Sequence, residues 1–171
     1  MKRLLVIFSV LCLAGCSKPS YETVADVPVA EVSAPCRQIM VNIPEESAVL
    51  AGTDDTSGRI YDCGEFTMSV QTLPSGDLDE TIFALTGYHR EELQLIESVK
   101  NTEKRYDCVF TSAGEDGLNV GRVCILDDGN YHYAVSVLAP ETSAGDCAGQ
   151  WQDIYTSFQI ADEGWDINTG S

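Results

Sequence analysis

Three consecutive segments of alternating apolar and polar residues constrain the fold more than any other feature of this chain. They span residues 105–112, 119–127 and 130–138, and alternation with a period of two is typical of a strand that buries one face. Asp128-Gly129 lies between the second and third segments, and this dipeptide between apolar runs is a strong hairpin signal. The sequence therefore predicts an antiparallel meander at the centre of the domain.

The turns also predict the register of this meander. The tight turn at Asp128-Gly129 and a loop centred on Asp116 give three expected pairs: Leu126 with Tyr131, Cys124 with Tyr133, and Cys108 with Cys124. The shared face is expected to be the core face, and it carries Tyr106, Cys108, Phe110, Val120, Cys124, Leu126, Tyr131, Tyr133, Val135 and Val137. Arg122 also falls on this face, and the pattern gives no reason for a cation there.

Further strands and two helices complete the predicted domain. Strands are expected at residues 37–43, 59–62, 65–73 and 94–100. A first helix follows Asp77, has Glu80 at the capping-box position, and ends at Gly87. A last helix covers residues 144–160, because four aromatic and aliphatic side chains recur at helical spacing: Trp151, Ile154, Tyr155 and Phe158. The predicted fold class is α+β, with an antiparallel sheet of an N-terminal hairpin and the meander packed by two helices.

The first sixteen residues, MKRLLVIFSVLCLAGC, have the pattern of an export signal. Lys2 and Arg3 precede an apolar run of ten residues, whereas a membrane-spanning helix needs about 20. The end of the stretch, LAGC, resembles the bacterial lipobox, in which the cysteine is acylated and becomes the new N-terminus. The resemblance implies a signal peptide at residues 1–15 and a diacylglyceryl anchor on Cys16. We expect the protein on the extracytoplasmic face of a cell membrane, or on the outer membrane of a two-membrane organism.

Composition divides the rest of the chain and limits its partners. Residues 16–35 contain three prolines and scattered acids, which is typical of a lipid anchor followed by an extended tether. Residues 36–162 form one domain's worth of chain, and residues 163–171 form a short polar tail. The net charge of −17, without a cluster of Lys or Arg, argues against binding to nucleic acid. The same acidic charge disfavours adhesion to anionic lipid headgroups, so we expect the lipid on Cys16 to attach the protein to the membrane.

The order of the elements and four short stretches resemble one known family. The stretches are VNIP at the first strand, VQTLPSGDLDE before the first helix, YAVSVLAPE before the last helix, and SFQI at its end. Together they resemble the PsbP/DcrB-like domain. The resemblance implies an α+β sandwich in a small exported or lumenal protein that binds and stabilises other proteins, and it carries over no catalytic residue. The cysteine content of this chain departs from that pattern.

No motif in the sequence nominates a catalytic, metal or cofactor site. His89 and His132 have no partners at metal-ligand spacing, so both are expected to be ordinary surface or boundary residues. The acidic pairs Asp54-Asp55 and Asp127-Asp128 lack the order of ligands in a calcium-binding EF-hand loop. We therefore expect a protein that is not an enzyme and holds neither a metal nor a cofactor.

Export makes disulfides possible in the mature chain. Five cysteines remain after Cys16, and they are Cys36, Cys63, Cys108, Cys124 and Cys147. An odd number leaves at least one thiol unpaired in the monomer. The predicted hairpin makes Cys108 and Cys124 the best-placed pair for a disulfide, but cysteine is also a common small buried residue, so both alternatives stay open.

Three functions remain after these exclusions. The first is a protein-interaction or assembly module of the cell envelope, whose partner is another envelope protein. The second is a small-ligand-binding lipoprotein, with Tyr131 and Tyr133 lining a pocket between the sheet and the last helix. The third is a hydrolase, for which the sequence offers no catalytic motif.

Overall fold

The computed structural model describes residues 35–52, 58–100, 103–115 and 117–161. The predicted signal peptide, Cys16, the tether up to residue 34, the pair Asp54-Asp55 and the predicted tail lie outside these ranges. The strands are β1 (Ile39–Met40), β2 (Ala48–Gly52), β3 (Gly58–Asp62), β4 (Thr67–Pro74), β5 (Ile96–Lys100), β6 (Glu103–Gly114), β7 (Gly117–Asp127), β8 (Tyr131–Pro140) and β9 (Gln159–Ile160). The helices are α1 (Leu78–Thr86), a 3₁₀ turn (Arg90–Glu92), α2 (Glu141–Ala144) and α3 (Ala148–Ser157).

One antiparallel sheet holds seven of the strands in the described ranges, in the order β2-β3-β4-β8-β7-β6-β5. Its centre is the predicted meander, β6-β7-β8, and the N-terminal hairpin joins it where β4 pairs with β8. A second, two-stranded sheet is formed by β1 and β9. The predicted α+β class with an antiparallel sheet is confirmed, whereas β2 and β9 were not predicted.

Each face of the large sheet is covered by one long helix. On the α3 face, α3 packs against the side chains of a large core: Tyr61, Phe66, Met68, Cys124, Leu126, Tyr133, Val135 and Val137. On the α1 face, α1 packs against a smaller core: Tyr106, Cys108, Phe110, Val123, Ile125 and Ala134. Burial of these apolar surfaces is the main free-energy gain on folding, and the alternation of strand residues supplies both cores from the same strands.

The ends of the helices follow from local chemistry. The Asp77 carboxylate accepts a hydrogen bond from the Asp79 N–H (2.9 Å), and Gly87 closes α1 with a φ of 79°, as predicted. The last helix is shorter than predicted, because the chain makes the separate turn α2 before α3 begins at Ala148. Phe158 is extended, with a ψ of 113°, so it ends α3 and releases β9 to pair with β1. None of the described helices combines the length and the apolar character required to cross a membrane.

The register between β7 and β8 differs from the prediction by two residues. Leu126 lies opposite Tyr133 and Cys124 opposite Val135. The turn is longer than expected because two carboxylates order it. Asp127 accepts from the Gly129 N–H (2.7 Å), and Asp128 accepts from the backbone N–H groups of the next two residues (2.9 and 2.8 Å). A shift of two residues leaves every side chain of β8 on its predicted face.

The register between β6 and β7 differs by one residue, and this moves a whole strand to the other face. The hairpin closes with Gly114 opposite Gly117, so Cys108 lies opposite Val123. Cys108 therefore belongs to the α1 core and Cys124 to the α3 core. Of the two alternatives for these cysteines, the register favours buried free thiols, because opposite faces of the sheet separate their side chains, and both cysteines are free.

The same register explains the cation that the sequence pattern left unexplained. Asp107 lies on the α3 face, where its carboxylate pairs with Arg105 (2.7 Å) and with Arg122 (3.2 Å). The Arg122 guanidinium also stacks over the Tyr155 ring of α3, 4.1 Å from its centroid. Arg105 donates to the carbonyl oxygen of Tyr155 (3.1 Å). The three charged residues thus connect β6 and β7 to the C-terminal half of α3.

Candidate functional site

An open cleft of about 930 Å³ lies on the α3 face. One wall is formed by seven consecutive residues, 37–43, which we call the N-terminal segment. The opposite side is formed by β3 and β4, with Arg59, Tyr61 and Val70 among the lining residues. The cleft therefore lies between the beginning of the domain and the hairpin side of the sheet.

Hydrogen bonds to three distant parts of the chain hold the N-terminal segment in place. The Arg37 N–H donates to the Tyr133 hydroxyl (3.0 Å), and the Asn42 N–H donates to Ser157 Oγ (2.8 Å). The Ala161 N–H donates to the carbonyl oxygen of Gln38 (2.8 Å). Contacts with β8, with α3 and with the residue after β9 fix both ends of the segment, so this wall of the cleft is formed before any partner binds.

Pairing within the described part of the chain uses one edge of the N-terminal segment. Gln38 and Asn42 direct backbone groups towards Ala161 and α3. Because backbone groups of an extended chain alternate in direction, Ile39, Val41 and Ile43 direct theirs to the other edge. Among the described residues no partner is found for the N–H groups of Val41 and Ile43.

The side chains of the cleft combine apolar surface with an unusual cation. Ile39, Val41 and Val70 pack partly against the α3 core, and Ile43 exposes 40% of its surface. Arg59 is exposed on β3, and no acidic partner for it is found in the described part of the chain. The other arginine, Arg37, is paired with Glu103 (2.8 Å).

The two tyrosines predicted to line a pocket lie elsewhere. Their rings are close, with centroids 6.0 Å apart, but neither ring lines the cleft. Tyr133 is fully buried in the α3 core, and its hydroxyl donates to Asp128 (3.0 Å) while it accepts from the Arg37 N–H. Burial raises the pKa of this hydroxyl. Tyr133 thus supports the N-terminal segment from beneath, and its role in the cleft is indirect.

The two histidines occupy opposite environments. His132 is buried, in contrast to the surface or boundary position expected from the sequence, and its Nδ1 lies 2.8 Å from Thr81 Oγ1. His89 is exposed, pairs with Asp79 (2.8 Å) and stacks on Phe83. Within the described ranges no group of three His, Cys, Asp or Glu side chains is placed to hold a metal ion.

The sequence located the wall of the cleft but not the cleft itself. Residues 37–43 were predicted as a strand, yet nothing in the sequence indicates that this strand leaves the main sheet to pair with the unpredicted β9. Arg59 belongs to no recognisable motif. The available signal was the rarity of cations, because Lys and Arg number 10 against 27 Asp and Glu.

Comparison with known proteins places the fold. No family model matches the sequence, and no curated protein matches it. A protein from Bacteroides thetaiotaomicron VPI-5482 superposes with a TM-score of 0.51 at 11% identity over 74% of this chain. That alignment covers 46% of the Bacteroides protein, so this chain spans less than half of its length.

Two further solved structures resemble the domain over most of their own length. PsbP (CyanoP) from Synechocystis sp. PCC 6803 has a TM-score of 0.50 at 8% identity, covering 75% of this chain and 95% of that one. LpqN, involved in cell envelope biogenesis of Mycobacterium tuberculosis, has a TM-score of 0.48 at 10% identity, covering 76% and 87%. At such identities similarity shows the fold alone. The described domain has the fold of cyanobacterial PsbP.

Proposed function

We propose that this protein is a lipid-anchored extracytoplasmic lipoprotein that acts as a protein-interaction module of the cell envelope. In this proposal it is not an enzyme, it needs no cofactor, and its partners are the membrane, through Cys16, and another envelope protein. The observation that carries the proposal is the open cleft beside the N-terminal segment, whose wall is held by hydrogen bonds to three parts of the fold.

The position of the cleft in the chain supports this role. The N-terminal segment begins two residues after Pro35, where the predicted tether ends. A tether of residues 17–35 has a maximum length of roughly 60 Å at about 3.3 Å per residue. A partner bound in the cleft would therefore be a protein of the same membrane or of the space within that distance.

The volume of the cleft favours a second candidate, the binding of a small ligand. Small-molecule sites occupy about 300–1,000 Å³ and place a few polar groups among apolar walls, and the cleft of about 930 Å³ meets both conditions. This version differs from the sequence-based one, because the ligand would contact Arg59 and Val70 in place of the two tyrosines.

Photo-crosslinking in intact cells tests the interaction module. A photoreactive amino acid at Ile43, which is 40% exposed on the cleft, is compared with one at Phe83, which is 48% exposed on α1. We expect a discrete crosslinked protein from position 43 and none from position 83. Crosslinking from position 83 alone would show that the partner does not bind at the cleft. The absence of any protein crosslink from either position would contradict the proposed interaction module.

A Cys16→Ser variant tests the anchor separately. Wild-type protein is expected in the membrane fraction and in the detergent phase of a phase separation, because two acyl chains give stable attachment. The variant is expected in neither. Equal membrane association of both proteins would contradict lipidation of Cys16.

A further inference from the structure

We propose that the cleft binds an extended peptide segment, which pairs with the free edge of residues 39–43 and places a carboxylate at Arg59. This inference rests on the proposed function and names the chemical class of its partner. Three independent properties of the cleft lead to it: the backbone edge, the spacing of apolar side chains and the charge.

The backbone edge selects an extended chain. The edge opposite β9, which no other described strand pairs with, carries the backbone groups of Ile39, Val41 and Ile43. An incoming strand would satisfy these groups with a ladder of hydrogen bonds, which is how sheet edges recognise peptides. The segment is fixed at Arg37 and Asn42, so it loses little conformational freedom on binding, and prior order of this kind favours affinity.

The apolar side chains match the period of a strand. A bound strand would direct every second side chain into the cleft, where Tyr61 and Val70 line the sheet side. Tyr61 lies on β3 and Val70 on β4, and both face the α3 side of the sheet. Arg59 faces the same side, because it precedes Tyr61 by two positions on β3. Alternate apolar residues of a peptide would therefore meet apolar surface, and one position would meet Arg59.

The charge selects an acidic peptide. Four other arginines of the described residues are paired: Arg37 with Glu103, Arg90 with Glu97, and Arg105 and Arg122 with Asp107. Arg59 has no such partner there, although the chain carries a net charge of −17. An acidic side chain, or a terminal carboxylate, at the Arg59 position would supply complementary charge.

Peptide selection tests the proposal without knowledge of the natural partner. A phage-displayed library of random ten-residue peptides is selected on the full chain in detergent, and one selected peptide is synthesised. We expect apolar residues at alternate positions, one acidic residue, and at least about tenfold weaker binding to Arg59→Glu. Lys104→Glu, which makes the same charge change at an exposed site outside the cleft, is the matched control and should bind as the wild type does.

N-methylation of the synthetic peptide tests the backbone contacts and needs no protein variant. Methyl groups on alternate amides should abolish binding, whereas methyl groups on the intervening amides should leave it unchanged, because only every second amide faces the partner strand. Three results would overturn the proposal. The first is that no peptide is enriched, and the second is that neither Arg59→Glu nor the choice of methylated amides changes the affinity of the peptide. The third is that decanoate, an apolar carboxylate, binds in the cleft whereas no peptide does. Crosslinking from position 43 would still support the module in each of these cases.

Discussion

At the scale of single residues, Asp107 determines where two cations are tolerated on a mostly apolar face. Its carboxylate lies within 3.2 Å of both Arg105 and Arg122, and all three side chains are more than two-thirds buried. Removing cations from water is costly unless a counter-charge and hydrogen bonds replace the solvent. The carbonyl oxygens at the end of α3 and the Tyr155 ring provide part of that replacement.

Asp107→Asn should therefore destabilise the protein by about 1–3 kcal/mol, because two partly buried guanidinium groups lose their counter-charge. The measurement is the free energy of unfolding in urea. Glu97→Gln is the control, since its ion pair with Arg90 is long (3.6 Å) and both side chains are about half exposed, and it should cost less than about 1 kcal/mol. Equal losses for the two variants would show that the Asp107 cluster contributes no more than a surface pair.

The two histidines should change the free energy of unfolding in opposite directions as pH rises. Burial lowers the pKa of His132 below its usual value of 6.5, despite the nearby carboxylates of Asp127 and Asp128. The unfolded state then binds more protons than the folded state just below pH 6.5, so the stabilising contribution of His132 is present above that pH and is lost as pH falls. The hydrogen bond that His89 donates to the Asp79 carboxylate raises the pKa of His89, so the stabilising contribution of His89 is present below pH 6.5 and is lost as pH rises.

Urea unfolding between pH 5 and pH 8 checks both signs. The stability difference between wild type and His132→Gln should shrink as pH falls below 6.5, the usual histidine pKa. The difference between wild type and His89→Gln should shrink as pH rises above 6.5. Two differences that change in the same direction with pH would contradict the assigned environments.

At the scale of elements, one glycine determines how β6 and β7 pack. Gly121 lies directly opposite Phe110, whose ring covers the glycine on the α1 face. A Cβ at position 121 would come within 2.6 Å of Phe110 Cε1. The aromatic ring therefore occupies the volume that any larger residue at position 121 would need.

Gly121→Ala should destabilise the protein by about 1–3 kcal/mol through overpacking of the α1 core. Phe110→Leu in the same chain should recover part of that loss, which a double-mutant cycle of urea unfolding measures. Gly145→Ala is the control, because Gly145 has a helical φ of −65° and nothing lies within 4 Å of the place that a Cβ would take there. Additive losses at positions 110 and 121 would show that the ring and the glycine are not coupled.

The elements themselves were largely predictable, whereas their registers were not. Alternation located β6, β7 and β8, because a buried face requires apolar residues at every second position. Turn length was not determined by the dipeptide Asp128-Gly129, since the carboxylates of Asp127 and Asp128 order a longer turn through backbone N–H groups. At the other hairpin a one-residue difference exchanged the faces of Cys108 and Asp107.

The cleft depends on contacts that no local pattern records. Residues 37–43 have the alternation of an ordinary strand, and only the pairing with β9, at the other end of the domain, draws them away from the main sheet. That pairing exists because Phe158 ends α3 early. The periodicity of a sequence does not indicate long-range pairings of this kind. The sequence therefore did not predict that Arg59 and Val41 line the same cleft.

At the scale of the whole domain, two cores share one sheet. Strands β6, β7 and β8 supply side chains alternately to the α3 core and to the α1 core. Both helices pack on the same seven-stranded sheet, so loss of that sheet exposes both cores together. A single domain of this size normally unfolds in one cooperative step, and two of the buried cysteines, Cys108 and Cys124, report on the two cores independently.

Thiol labelling should show that the cores unfold together. Cys108 lies in the α1 core and Cys124 in the α3 core, and burial raises the pKa of Cys108 to about 11 and raises that of Cys124 as well. Since the thiolate is the reactive form, both should react with iodoacetamide only through unfolding, at one common slow rate resolved by mass spectrometry of peptides. Exposed Cys36 should react at once and serves as the internal control. If Cys108 reacts about tenfold faster than Cys124, the α1 layer opens on its own as a local unfolding unit, and the sheet does not couple the two cores.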